Sequence, residues 1–129
     1  MSNNYEVQEY TTANGRNKIS EFLDELYKKR LNNEMLLVTR LLDDLREFGL
    51  KQNPPNVVKM LDNNRRIYEI KRMGKNVRLG LYVVKSEENG AIVVLAGFLK
   101  DSQKTRKVDL ETLRKRQSDY EARNKNYGK

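Results

Sequence analysis

The sequence predicts an α+β domain, a mainly antiparallel sheet packed on one face by a helical hairpin. Three observations predict it. Two stretches in the first half carry apolar residues at helical spacing. Three runs in the second half are rich in β-branched and other apolar residues and are separated by short turn signals. The length, 129 residues, suits one domain with its own core, and no repeat, linker or low-complexity stretch divides it.

Residues 5–10 alternate weakly and run into the turn signal Thr11-Thr12-Ala13-Asn14-Gly15, so they read as a first strand. Residues 17–30 read as a helix. Ile19, Phe22, Leu23, Leu26 and Tyr27 fall at helical spacing, Asn17 or Ser20 can cap the start, and Lys28, Lys29 and Arg30 suit the negative end of the dipole. Asn32 and Asn33 break the pattern. A second helix covers about 34–48, with Val38, Leu41, Leu42, Leu45 and Phe48 as its stripe and Gly49 just past its end. The short polar turn between them makes an antiparallel pair, and each stripe needs an apolar surface to cover.

Pro54-Pro55 opposes regular structure around it. Strands follow at 67–72, 77–84 and 91–99, joined through 73–76 and 87–90 into an antiparallel meander. The last strand is apolar almost throughout and should be the most buried. Residues 108–124 read as a closing helix with Leu110, Leu113, Gln117 and Tyr120 on one side, and 124–129 as a frayed tail. The expected order is β-α-α-β-β-β-α in a single domain spanning 1–129.

Composition removes several chemistries. There is no cysteine, hence no disulfide and no thiolate metal site. There is no histidine, which excludes the Ser-His-Asp and Cys-His arrangements and nearly all zinc sites. Residues 1–10 lack the apolar segment of a signal peptide, and the longest apolar run, 91–99, is far short of a membrane span. The chain therefore reads as soluble and cytoplasmic, with no membrane partner. The net charge of +8 is concentrated in the second half: residues 51–85 carry nine basic and two acidic side chains, against seven and nine in residues 1–50. Such a field suits a polyanion, with nucleic acid the commonest, although a solvated surface or an acidic protein partner fits the charge as well.

Strand alternation sorts the candidates onto faces. Tyr68 and Ile70 share a face, as do Leu79, Leu81 and Val83; these apolar faces should meet the helical hairpin. Glu69, Lys71, Arg78 and Tyr82 then lie on the opposite, open face. The segment after the last strand adds Lys100, Asp101, Gln103, Lys104, Thr105 and Arg106, and the closing helix can add Arg114 or Tyr120. Each of these alone reads as ordinary solvated surface or amphipathic packing; their convergence is the signal.

Five stretches carry a resemblance: Glu21-Phe22-Leu23-Asp24-Glu25-Leu26, Val58-Lys59-Met60-Leu61, Tyr68-Glu69-Ile70-Lys71, Val77-Arg78-Leu79, and the block ending Gly97-Phe98-Leu99-Lys100-Asp101-Ser102-Gln103-Lys104-Thr105. Together, over roughly 5–122, they resemble the RelE/HigB-type toxins of bacterial and phage toxin–antitoxin modules, particularly the phage-derived HigB-like branch. The resemblance implies a RelE-like fold and a ribosome-dependent mRNA endoribonuclease that inhibits translation without metal or cofactor. It implies a cognate antitoxin, often of helix-turn-helix type, and mRNA on the ribosome as partners.

By position, Lys71 takes the place of a strand arginine, Arg78 matches the next strand's arginine, and Phe98, Lys100 and Lys104 match the motif after the last strand. The catalytic set so implied is Lys71, Arg78, Lys104 and Glu69; Lys100, Arg72, Phe98, Tyr82, Arg106 and Tyr120 are the expected RNA contacts. Arg78 and Lys104 would stabilise phosphorane charge. The base remains open between Lys71 and Glu69, with Tyr82 or Tyr120 able to serve only if strongly perturbed. Three positions depart from the pattern. Lys71 replaces an arginine and loses its bidentate grip on phosphate, Asp101 stands where a second lysine is common, and Arg106 stands where proline often follows threonine. Other readings stay open: a ParE-like toxin that binds DNA gyrase without catalysis, a plain RNA-binding module, or an inactive homologue that only binds an antitoxin or RNA.

Overall fold

The computed structural model describes residues 5–73, 77–86, 89–101, 105–106 and 108–127. The elements run β1 (Val7–Glu9), α1 (Lys18–Lys28), α2 (Asn32–Phe48), β2 (Asn56–Asp62), β3 (Ile67–Met73), β4 (Val77–Lys85), β5 (Ile92–Asp101), β6 (Thr105–Arg106) and α3 (Leu110–Tyr127). The fold is α+β with a mainly antiparallel sheet, an arrangement consistent with a RelE-like fold. The sheet order is β1-β5-β4-β3-β2, with β6 also paired to β5. Among the described strands, β1 alone runs parallel to its neighbour, pairing Val7 with Ile92. Among the described residues, no helix is long and apolar enough to cross a membrane.

Local chemistry explains the helix ends. The Asn17 side chain accepts a hydrogen bond from the Ser20 amide at 2.9 Å and caps α1. Arg30 takes a φ of 60° just after α1, so the break falls there and Asn32 and Asn33 form the first turn of α2. This corrects the expectation that the two asparagines interrupt the hairpin: as polar residues they suit a helix's first turn better than its interior. Gly49, with a φ of 62°, ends α2 as expected.

The sheet carries a core on each face. Ile19 and Leu26 of α1 and Val38, Leu41, Leu42 and Leu45 of α2 pack on Ile70, Leu79, Leu81, Val83 and Val94. That is the expected hairpin-on-sheet layer, on the expected strand face. The other face is not open. Leu113 and Tyr120 of α3 join Ile67, Tyr82, Val84, Val93, Leu95, Ala96 and Phe98 in a second core. The 108–124 stripe is legible in the sequence but its docking surface is not: Glu69, Lys71, Arg78 and Tyr82 make one part of this face polar, while Ile67, Val84, Val93 and Leu95 make another part apolar. The helix also continues to Tyr127, past the expected end at residue 124.

A further departure is β2, an edge strand where Pro54-Pro55 suggests only irregular chain. Its side chains are mostly exposed or half-buried, with no clean alternation to announce it. β5 is buried from Ile92 to Ala96, but it is not the most buried strand that its apolar run suggests: among the described residues β4 is buried from Leu79 through Val84, because both of its faces carry a core.

Candidate functional site

Register places the candidate residues in three successive rows across one sheet face. In the first, Glu69 of β3 is the partner of Lys59 on β2 and of Tyr82 on β4, and Tyr82 is the partner of Ala96 on β5. In the second, Lys71 is flanked by Val57 and Gly80, and Gly80 by Phe98. In the third, Met73 pairs with Arg78, Arg78 with Lys100, and Lys100 with Thr105 of β6. Neighbouring strands are about 4.8 Å apart and successive rows about 7 Å apart, so Lys71, Arg78 and Lys100 occupy adjacent positions.

The first two rows have a built floor. Phe98 is buried and its ring centroid lies 4.8 Å from that of Tyr82, tilted by 32°. The Phe98 ring occupies the space that a side chain at residue 80 would need: a Cβ there would stand 2.7 Å from Phe98 Cζ. Glycine at 80 therefore lets the aromatic pair close over β4 beside Lys71. Glu69 is buried, and its Oε1 lies 3.7 Å from Lys71 Nζ, whose side chain keeps 22% of its exposure. A carboxylate in this position balances the lysine from below and leaves its outer side to solvent.

Burial and the neighbouring Glu69 charge, in that order, push the Tyr82 phenol up to about 12. At neutral pH Tyr82 is thus a fixed neutral phenol, unsuited to accept a proton. It and Phe98 form the floor of the site, since their buried rings offer no face to a stacking base.

The other expected residues separate. Arg72 lies on the opposite face by alternation, between Asn56 and Leu79 in register. Tyr120 is buried toward the far end of the sheet; its hydroxyl donates to Gln8 Oε1 and accepts from Asn89 Nδ2 at 3.0 Å, and burial raises its phenol. It belongs to the docking of α3 and is not brought to the three rows. Arg114 donates to the buried Asp62 at 2.8 Å, and that hydrogen bond, with the Arg65 amide, holds the Asp62 carboxyl below its ordinary range. Arg106 pairs with Leu99, which pairs with Leu79, so it falls in the row of Arg72 and on the opposite face as well. Lys104 and Gln103 lie outside the described residues. Among the described residues no group of three or more aspartates or glutamates is placed to hold a metal ion.

The residues missed from the sequence are Val57 and Lys59, which β2 adds to the first two rows. The β-branched pair Val57-Val58 was the available signal, masked by the prolines just before it.

A family model described as phage derived protein Gp49-like (DUF891) matches residues 20–118. No curated protein and no solved structure matches the chain. The match runs from α1 through all five later strands into α3, and includes every residue of the three rows. With more than half of its length matched, the chain belongs to the phage-derived Gp49-like family.

Proposed function

We propose that the chain is the toxin of a toxin–antitoxin module, a metal-independent endoribonuclease that cuts mRNA on the ribosome. The observation that carries this reading is the register that makes Lys71, Arg78 and Lys100 neighbours on one face, beside the buried Glu69. Membership of a phage-derived family is compatible with it. So is the similarity of Tyr68-Glu69-Ile70-Lys71, Val77-Arg78-Leu79 and the Phe98–Thr105 block to the RelE/HigB toxins.

The chemistry requires only what RNA and these residues supply. The ribose 2′-oxygen attacks the adjacent phosphorus, the bond to the 5′-oxygen breaks, and a 2′,3′-cyclic phosphate and a 5′-hydroxyl result. One proton leaves the 2′-hydroxyl and one reaches the departing 5′-oxygen. Arg78, with Lys104, takes the charge that grows on the phosphorane; removing one such donor typically costs about 3–4 kcal/mol of barrier, a factor of about a hundred to a thousand. Lys71 and Glu69, 3.7 Å apart, are the pair to which proton transfer falls. Lys100 extends the anion-binding surface onto β5. The small catalytic set suits a reaction in which the ribosome positions the mRNA. A cognate antitoxin of helix-turn-helix type is the expected inhibitor.

The test is growth. Induction of the wild-type chain in a bacterial host should arrest it, and Arg78→Ala should release the arrest while the purified variant keeps its circular dichroism and melting temperature. Equal arrest by both would remove Arg78 from the mechanism. Arrest that persists with intact mRNA and inhibited gyrase would replace the nuclease with a ParE-like reading.

A further inference from the structure

We infer that Lys59, on the edge strand β2, is a further RNA-backbone contact of this site, holding a phosphate to one side of the one that is cut. The inference rests on the nuclease reading for the identity of the ligand, and on the register for everything else.

β2 is sorted onto its faces by the cores. Val58 packs against the helical-hairpin core and Leu61 against the core beneath α3. Lys59 is the direct partner of Glu69, which puts it on the face of the three rows. Read diagonally, the rows form a stair of cationic positions with one step per strand: Lys59 on β2, Lys71 on β3, Arg78 on β4, with Lys100 beside Arg78 on β5. Diagonal neighbours on adjacent strands are about 7–8 Å apart, a gap that flexible lysine and arginine side chains span. A line of positive charge rising from the sheet edge to its centre is what a single strand's phosphates would follow.

Several helix cations are neutralised locally: Lys28, Arg46 and Lys115 each pair with a carboxylate three or four residues away on their own helix, and Lys29, just past α1, pairs with Glu25. Lys59 is exposed, and among the described residues no ion pair takes up its ammonium. The carboxylate in its own row, Glu69, is buried and turned to Lys71. Beside Lys71 in the next row, Val57 is 43% exposed on the same face, an apolar shoulder against which a ribose or base can rest. The +7 balance of residues 51–85 thus has a direction on the molecule, with Lys59 at its outer end.

The experiment uses the full chain and a fluorescein-labelled single-stranded oligoribonucleotide, with anisotropy followed across a salt series. The variants are Lys59→Ala, Arg78→Ala and Arg40→Ala; Arg40 is an exposed cation on α2, the helix covering the other face. Lys59→Ala should weaken binding by about three- to tenfold and reduce the slope of log affinity against log salt by about 0.7, the loss of one phosphate contact. Arg40→Ala should change neither. If Lys59→Ala behaves like Arg40→Ala while Arg78→Ala weakens binding, the assignment of Lys59 is overturned and the RNA reading stands. If the wild-type chain does not bind the oligonucleotide at all, the RNA reading is overturned and Lys59 with it.

Discussion

Glu69 and Tyr82 face each other across β3 and β4, both buried, and each constrains the other. The charge of Glu69 helps hold the Tyr82 phenol at about 12, against 10.0 for an ordinary phenol. The folded chain therefore keeps this proton to higher pH than the unfolded chain does. The stability so contributed is complete below about pH 10 and is lost as the pH rises through about 12. Tyr82→Phe keeps the ring that packs on Phe98 and removes the titrating hydroxyl. Its denaturation midpoint should fall less steeply than that of the wild type over this window; identical alkaline limbs would show that Tyr82 does not titrate late. At this scale the sequence was partly legible. Alternation correctly put Glu69, Lys71 and Tyr82 on one face, since a period of two needs no knowledge of partners. Burial was not legible, because whether Tyr82 and Phe98 meet solvent or a floor depends on Gly80 and on a helix far along the chain.

Among the elements, β4 and β5 close tightly where Gly80 meets Phe98. A Cβ at residue 80 would run into the Ile70 carbonyl oxygen of β3 as well as the Phe98 ring. Neither strand can yield without breaking its ladder. Gly80→Ala should therefore cost about 1–3 kcal/mol, the range for overpacking, with a melting temperature lower by several degrees. An unchanged melting temperature would mean that the Phe98 ring is not held over Gly80. The elements with strong periodicity, α1, α2, β3, β4 and β5, could be read from the chain, because burial of one face leaves its period in the sequence. β2 could not. An edge strand with Val57 and Met60 exposed leaves no such trace, and only its pairing with β3 reveals it. The closing helix is legible as a helix from its stripe, but polar contacts hold it beside the core formed by Leu113 and Tyr120. Asp62 to Arg114, Arg65 to Ser118 and Tyr10 to Asp119 are contacts between residues far apart in sequence, and no periodicity announces them.

Over the whole molecule, two cores divide the labour. The hairpin core covers one face, and the α3 core covers part of the other. Leu81 is fully buried in the hairpin core. Leu81→Asp places a carboxylate there with no partner, a cost of several kcal/mol against a typical total stability of about 5–15 kcal/mol. The variant should be insoluble or unfolded by circular dichroism. A soluble, cooperatively melting Leu81→Asp protein would contradict the assignment of faces on which the site depends. The uneven charge of the chain is visible in its sequence, but the sheet decides where it acts: β2, β3 and β4 bring cations from residues 59, 71 and 78 into one diagonal, with residue 100 of β5 beside residue 78.

The most direct measurement is primer extension on a defined mRNA in a bacterial host after induction of the wild-type chain or Arg78→Ala, with an untranslated copy of the same message as control. Cuts in the translated message alone, absent with Arg78→Ala, are expected. Intact message under wild-type induction, or the same cuts with Arg78→Ala, would contradict a ribosome-dependent nuclease built on this face of the sheet.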